Sequence, residues 1–182
     1  MTDSGPRRIG VSIELKPHAY DPATHPELFD GVLARRLIAF VIDLVIIAIP
    51  VFIAGMFMAA ATIATLGIAA IFFAVLSPLY WPMIVIWAIC YYGFTFGSPA
   101  SATIGMRVMD LEMRTWYGSP AYFVLGAVHA IMFWLTISFL TPLILLVGVF
   151  NERRRLLHDM LVGTVVINNP ARAQALRQPG KT

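Results

Sequence analysis

Charged side chains are almost missing from two long parts of this 182-residue chain. Between Leu37 and Phe96 the only Asp, Glu, Lys or Arg is Asp43, and between Ser119 and Phe150 there is none. Charged residues make up 13% of the sequence and hydrophobic residues 59%, whereas soluble domains carry about 25% charged residues. Uncharged runs longer than the ~20 residues needed to cross hydrocarbon exclude a soluble globular protein and indicate an all-α membrane protein.

Other features that would indicate a particular function are also missing. The single cysteine, Cys90, excludes an intrachain disulfide framework. No Ser–His–acid, HExxH, CxxC or phosphate-loop pattern occurs, so we expect no enzymatic activity and no cofactor. Arg7 and Arg8 are followed by polar sequence, so we expect no cleavable signal peptide. The net charge of +3 is modest and its arginines stand at the ends of apolar segments, which indicates membrane topology and no nucleic-acid binding.

Both ends of the chain are polar. Residues 1–30 are interrupted by prolines, which is typical of an extended or loosely ordered cytoplasmic tail, and residues 169–182 are predicted to be a disordered cytoplasmic tail. His18 and His25 flank Asp21, but these residues lack the close spacing of metal ligands, so we predict no metal site there. Residues 31–168 remain as the predicted transmembrane domain.

Three apolar blocks in that domain predict a small polytopic helical bundle. We expect the first helix at Leu33–Ala60 and the second at Ile68–Phe96. The third block, 119–150, is too long for one comfortable span and short for two. Arginines stand before the first block, after the second and after the third. Because positively charged flanks tend to be cytoplasmic, these three flanks should lie on the same, cytoplasmic face. We therefore expect four crossings, or two plus a hairpin broken near Pro142, with both termini cytoplasmic; the alternative is one tilted third helix that leaves Arg153–Arg155 outside.

Two polar segments at the cytoplasmic face have the character of short strands. Residues 107–113 alternate between apolar and polar side chains, and residues 151–169 turn from amphipathic to β-branched. We predict that the two segments pair as a small ribbon.

Asp43 is the first functional candidate. It shares one helical face with Arg36, Ala39 and Phe40, about 10 Å along the axis from Arg36. A charge at mid-bilayer costs about 2.5 to 3.5 kcal/mol even on the mildest scale. Asp43 must therefore face the bundle interior or water, and we expect it to have a cationic partner or to be protonated. Arg107 is a better candidate partner than Arg36, which lies too far up the same helix.

Two interpretations of Asp43 stay open. Intramembrane ionisable groups often mark an ion or proton path. A buried ion pair can also do no more than specify how helices pack.

The second group of candidates follows the third block. Arg153, Arg154 and Arg155 are predicted to contact anionic headgroups, at ~1 kcal/mol for each basic residue. Asp159 is a candidate partner for these arginines or for another segment. The neighbouring His158 is a candidate for titration near neutral pH. For His129, inside the third block, we favour a hydrogen-bonded packing residue over a proton carrier.

Three of these motifs together resemble the RDD family of membrane proteins. "RRLIAFVID" (35–43) resembles its opening, "TIGMRVMDLEM" (103–113) is similar to its Thr-x-Gly-Lys/Arg turn and following strand, and "LHDMLVGT" (157–164) resembles its closing segment. By resemblance the residues for which the family is named map to Arg36, Asp43 and Asp159. Family members often carry an arginine near the start of the third block, where this chain has His129.

The resemblance implies transport as the usual suggestion, with cation/proton exchange proposed for some members. We therefore expect an inner-membrane protein in which an Arg36–Asp43–Asp159 polar network assists transport of a small cation, proton or solute. Four short helices enclose little space, so we expect a homo-oligomer in the lipid bilayer. The alternative is a non-transport assembly or partner protein in which these charges only fix helix packing.

Overall fold

The structure is a computed structural model that describes residues 19–178, with the backbone alone described at 140–146. This part of the chain contains three long helices, three short helices, a two-stranded ribbon and a 3-10 turn. In chain order they are the 3-10 turn Pro26–Leu28, α1 Val32–Ala64, α2 Ile68–Phe96, α3 Ile104–Val108, β1 Leu111–Thr115, α4 Phe123–Phe150, α5 Leu157–Val162, β2 Thr164–Asn168 and α6 Pro170–Arg177.

Helices α1 and α2 are the two described helices that are long and apolar enough to cross a membrane. They form a hairpin, which turns at 65–67, a few residues beyond the predicted end of the first helix. Large apolar side chains on the halves next to this turn are exposed, among them Phe52, Phe57 and Trp81. Such an apolar surface suits hydrocarbon. The helix backbone needs no hydrogen-bond partner from lipid, because it is already hydrogen-bonded within itself. The predicted mostly helical membrane architecture is confirmed to this extent.

The buried core lies at the other end of the hairpin. On α1 the buried residues Ala39, Asp43 and Ile47 recur every four residues and so form one stripe. On α2 the buried residues are near its C-terminal end, including Tyr91, Tyr92 and Phe96. Elements α3, β1, α5, β2 and α6 pack at this end, and we call the assembly the cap.

The predicted ribbon exists and is confirmed with shifted bounds. Strands β1 and β2 are antiparallel, in a register that runs from Leu111 opposite Asn168 to Thr115 opposite Thr164. Residues 104–108 form α3 and not the start of the strand, because the Thr103 side chain accepts the Met106 N–H and thereby caps a short helix.

Strand β2 is buried on both of its faces. Val166 packs in the cluster formed by the long helices, whereas Val165 and Ile167 pack against Leu28 and Phe29. Alternation with a period of two explains this division.

The two tails differ from their predictions where the structure describes them. Residues 19–30 are not a loose tail, because the apolar Leu28 and Phe29 pack on β2. Residues 170–177 are not disordered: they form α6, whose Ala173 is buried and whose Arg177 pairs with Glu27. His18 lies outside the described residues.

The third apolar block is a single helix, α4, which continues through the expected break at position 142. A straight helix of this length would place its ends ~40 Å apart. Both ends nevertheless lie at the cap. The Phe123 backbone lies against Gly97 at the end of α2, and Gly148 lies against Leu33 at the start of α1. Helix α4 is therefore not straight, and its two ends share one face of the molecule.

Candidate functional site

Two buried carboxylates, Asp43 and Asp159, define the candidate site at the cap end of the helices. Their side chains have different surroundings, because one is held by neutral donors and the other by a cation. One cavity is lined both by Asp43 and by Arg36, the partner of Asp159.

Asp43 accepts three hydrogen bonds from neutral groups. Its Oδ1 atom lies 2.6 Å from the Tyr91 hydroxyl and 2.8 Å from the Gly105 backbone nitrogen, and its Oδ2 atom lies 2.6 Å from the Thr103 hydroxyl. The carboxylate is only 3% exposed. Helix α2 supplies the tyrosine, and the first turn of α3 with its cap supplies the other two donors.

Gly105 allows α3 to come this close to α1. A Cβ atom at this position would collide with the carbonyl oxygen of Ala39 and stand 2.9 Å from Asp43 Oδ1. Only a residue without a side chain lets the 105 N–H reach the carboxylate.

No cationic side chain among residues 19–178 forms an ion pair with Asp43. The structure places the expected partner, Arg107, elsewhere: its guanidinium donates to the Ser98 hydroxyl at 2.6 Å and to the Ala102 carbonyl at 3.1 Å. Arg36 turns away from Asp43 as well, towards Asp159. The expected three-residue network is therefore divided in two.

Arg36 and Asp159 form a two-pronged ion pair. Arg36 Nη1 lies 2.5 Å from Asp159 Oδ2, and Nη2 lies 3.0 Å from Oδ1. The aspartate side chain is fully buried and the arginine side chain is 11% exposed. The Leu156 N–H also donates to Oδ2 at 2.8 Å, so the carboxylate holds the start of α5 while it binds α1.

Two histidines stand beside this pair. The Nε2 atoms of His129 and His158 lie 3.7 and 3.5 Å from Asp159 Oδ1. His129 Nδ1 lies 3.2 Å from the Thr164 hydroxyl, and the two imidazole rings meet edge to face at 4.9 Å between centroids. His129 is thus a hydrogen-bonded residue of the core, and its ring sits beside the ion pair. The ligand atoms of His129, His158 and Asp159 all lie within 4.8 Å of one another.

The two α5 residues have strongly shifted protonation equilibria. Burial lowers the pKa of His158 to about 3, although the Asp159 carboxylate acts against this, so the ring is neutral at physiological pH. Burial alone would raise the pKa of Asp159, but the Arg36 guanidinium, together with smaller effects of His158 and His129, holds the pKa of this carboxyl well below its usual range. His158 is therefore not the near-neutral titrating group that the sequence suggested.

The three arginines of the triplet differ in their burial and in their contacts within the protein. Arg155 is buried and donates to the backbone carbonyls of Thr164 and Asp159, both at 2.8 Å. Its guanidinium lies 4.4 Å from the centre of the Trp116 ring, and that of Arg153 lies 5.7 Å from it. Arg154 is the exposed member and donates to the Val149 carbonyl. The expected headgroup contact is therefore incorrect for Arg155.

A cavity of about 610 Å³ lies between α1 and α4. Its wall is mostly apolar, with side chains such as Leu37, Phe40 and Phe133. Its polar lining consists of Arg36, Asp43, Thr103, His129 and His158. The cavity therefore gives Asp43 and the Arg36 pair a common border.

Sequence reasoning missed the three donors to Asp43. Thr103 and Gly105 belong to the "TIG" motif, which was noted for its resemblance and not as a partner of Asp43. Tyr91 stands 48 positions away and carries no sequence signal beyond being a tyrosine in an apolar run.

Comparison with known proteins gives one family. The model of the RDD family matches residues 31–163, which is more than half of the chain. No curated protein and no solved structure matches the chain.

Proposed function

The chain belongs to the RDD family, and from this premise we propose that it is a membrane transporter of a small monovalent cation or a proton, with Asp43 as the binding carboxylate. The proposal involves no catalytic step and no cofactor. The observation that carries it is the difference in charge balance between the two buried aspartates.

Asp159 is neutralised by Arg36, whereas Asp43 is surrounded by neutral donors alone among the described residues. A buried, uncompensated negative charge is unfavourable in a low-dielectric environment. A proton or a monovalent cation would supply the missing positive charge. Oxygen atoms of Asp43, Thr103 and Tyr91 already converge there, and hard cations prefer such ligands.

The cavity supports access to this carboxylate. Asp43 and Thr103 both line it, so a small cation inside it would reach the carboxylate without passing through the packed stripe of α1. Its mostly apolar wall would keep the local dielectric low and strengthen the attraction. Many large side chains of α1 and α2 are exposed, which fits contact with lipid or with a second copy of the chain. We therefore propose a homo-oligomer.

We also propose the orientation of the chain in a bacterial inner membrane. Both ends of α4 lie at the cap, where the guanidinium groups of Arg153 and Arg155 lie near the Trp116 ring. A cytoplasmic cap places these arginines inside, as the positive-inside tendency requires. In this arrangement α1 and α2 cross the membrane, α4 enters and returns, and both termini are cytoplasmic.

The second candidate is a packing or partner-binding protein without transport. The specific observation in its favour is that Asp43 on α1 joins three elements, because its donors come from α2 and from α3 with its N-cap. In this function the carboxylate only fixes helix register.

Flux through proteoliposomes separates the two candidates. The purified protein, reconstituted with a pH-sensitive dye inside the vesicles, is challenged in turn with gradients of Na⁺, K⁺, Li⁺ and H⁺. Asp43→Asn should abolish the flux and keep the oligomer size and the helical content. Asp30→Asn, the same change at an exposed carboxylate, should leave the flux unchanged. Absence of flux from the wild type under all four gradients, together with loss of folding in Asp43→Asn, would favour the packing function.

A further inference from the structure

We propose that His129, His158 and Asp159 form a binding site for a divalent first-row transition metal ion such as Zn²⁺, which replaces the Arg36 guanidinium as the counter-charge of the carboxylate. This site is separate from the Asp43 carboxylate and does not depend on the transport proposal.

The spacing of the three ligand atoms fits a tetrahedral ion. Bonds of ~2.0 to 2.2 Å at tetrahedral angles place neighbouring ligand atoms ~3.3 Å apart. The two imidazole Nε2 atoms lie 3.5 and 3.7 Å from Asp159 Oδ1. One ligand atom from each of the three residues lies within 4.8 Å of those from the other two, so side-chain shifts can bring them onto one ion. All three residues are buried, which keeps bulk water from competing for the ion.

The His158 ring presents its Nε2 atom to the carboxylate. A metal binds the neutral imidazole through its lone pair. The Nδ1 atom of His158 is buried and has no hydrogen-bond partner among the described residues, whereas its Nε2 atom points to the polar cluster.

Thr164 supplies the outer contact that metal-binding histidines usually have. Its hydroxyl lies 3.2 Å from His129 Nδ1. With Nδ1–H donating to this hydroxyl, the lone pair of Nε2 is directed to Asp159. Three protein ligands leave a fourth position for water, which is the pattern of zinc sites with an exchangeable ligand.

Arg36 now stands where the ion would bind. Its Nη2 atom lies 3.0 Å from Asp159 Oδ1 and 3.4 Å from His158 Nε2, so a nitrogen of the guanidinium already sits beside two of the three ligand atoms. A metal ion and the guanidinium therefore exclude each other. The Arg36 side chain borders the 610 Å³ cavity, which has room for the guanidinium once it is displaced. The two cations compete for one carboxylate, and this competition is measurable.

Co²⁺ is a suitable probe, because its visible absorption reports tetrahedral coordination. Untagged full-length protein, treated with a chelator and exchanged into nanodiscs, is titrated with Co²⁺ and then with Zn²⁺. We expect one Co²⁺ per chain, with tetrahedral bands that Zn²⁺ removes. His129→Gln should weaken binding at least tenfold, and His25→Gln, a change at an exposed histidine, should not alter it. Thr164→Val should weaken binding by ~10- to 100-fold through the lost outer contact.

Arg36→Gln tests the displacement itself and should tighten binding at least tenfold. Helical content and oligomer size are measured for every variant. If the Arg36 variant fails to fold, the weaker binding expected of Thr164→Val still tests the site. Tetrahedral Co²⁺ bands that are absent from the wild type, or that have the same strength and affinity in folded His129→Gln and Thr164→Val, would overturn the site.

Discussion

Thr103 and Asp43 are joined by a hydrogen bond of 2.6 Å across 60 positions of sequence. The same threonine oxygen accepts the Met106 N–H and so starts α3. A single hydroxyl therefore links the buried carboxylate of α1 to the helix that covers it. Changes to the donors of Asp43 should alter both the stability of the cap and the chemistry of the carboxylate.

Tyr91→Phe should lower the free energy of unfolding by about 1.5 to 3 kcal/mol, the range for hydrogen bonds to charged groups. Tyr80→Phe is the matched control, because the Tyr80 hydroxyl donates to a neutral carbonyl, that of Phe73, at 2.7 Å. Its effect should stay within about 0.5 to 1.5 kcal/mol. Denaturant unfolding in detergent, followed by circular dichroism, measures both. Equal losses in the two variants would show that the Tyr91–Asp43 hydrogen bond contributes no more than one to a neutral acceptor.

Gly105→Ala should destabilise the protein by about 1 to 3 kcal/mol, because the added methyl group forces α3 away from the Ala39 carbonyl. Gly55→Ala is the control: it lies inside α1 with open space around its Cβ position, so the change should be neutral or stabilising. Thermal unfolding of both variants tests the close approach. An unchanged melting temperature in Gly105→Ala would contradict it.

Arg36→Gln should cost about 3 to 5 kcal/mol of stability in metal-free protein, because it leaves the Asp159 carboxylate buried without its counter-ion. The double variant Arg36→Gln with Asp159→Asn should recover part of this loss, since no charge is then left unpaired. Arg177→Gln, which removes an exposed pair with Glu27, should change stability by less than about 1 kcal/mol. If the stability losses of Arg36→Gln and of Asp159→Asn simply add in the double variant, the two side chains are not energetically coupled.

Acidification from pH 6.5 towards pH 4 should weaken the fold. The pKa of His158 is lowered by burial to about 3 in the folded protein, while the unfolded chain has the ordinary value near 6.5. Between these values the unfolded state binds the extra proton, so stability falls as pH falls, with a slope approaching ~1.4 kcal/mol per pH unit. The pKa of Asp159 is also lowered, but its contribution is lost only below about pH 4.

The measurement is the unfolding free energy of the wild type and of His158→Gln between pH 7 and pH 4. We expect the variant to have a flatter profile, because its side chain does not titrate. Parallel profiles would assign the pH dependence to other groups.

Cysteine labelling tests the return of α4. In a Cys90→Ser background, single cysteines at Ser119 and Arg154 should both resist a membrane-impermeant reagent added to intact cells and react after the membrane is opened. Leu66→Cys, at the exposed turn between α1 and α2, should react from outside. Labelling of Arg154→Cys from outside would show that α4 crosses once.

The long apolar runs were sufficient to predict the helices. Lipid leaves the backbone no other hydrogen-bond partner, so an uncharged run of this length has few alternatives to a helix. Residues 19–30 and 170–177, in the described parts of the tails, were mispredicted because polarity says little about packing. Leu28, Phe29 and Ala173 are isolated apolar residues in polar sequence, and only the ribbon that they cover makes them part of a core.

The sequence named the two carboxylates and Arg36 of the candidate site, but not the donors to Asp43. The sequence identified Arg36, Asp43 and Asp159, but an argument from charge looks for a cation beside each carboxylate. Asp43 is instead satisfied by two hydroxyls and an N–H, which are neutral and distant in sequence. Such pairing depends on the position of α3 against α1, which no local pattern reveals.

The separation of Arg36 from Asp159 by 123 positions has a consequence for biogenesis. During translation α1 leaves the ribosome before its counter-ion on α5 and before the strand that pairs with β1. A nascent chain that stalls before residue 159 therefore holds an unmatched guanidinium at the membrane and an unpaired strand edge.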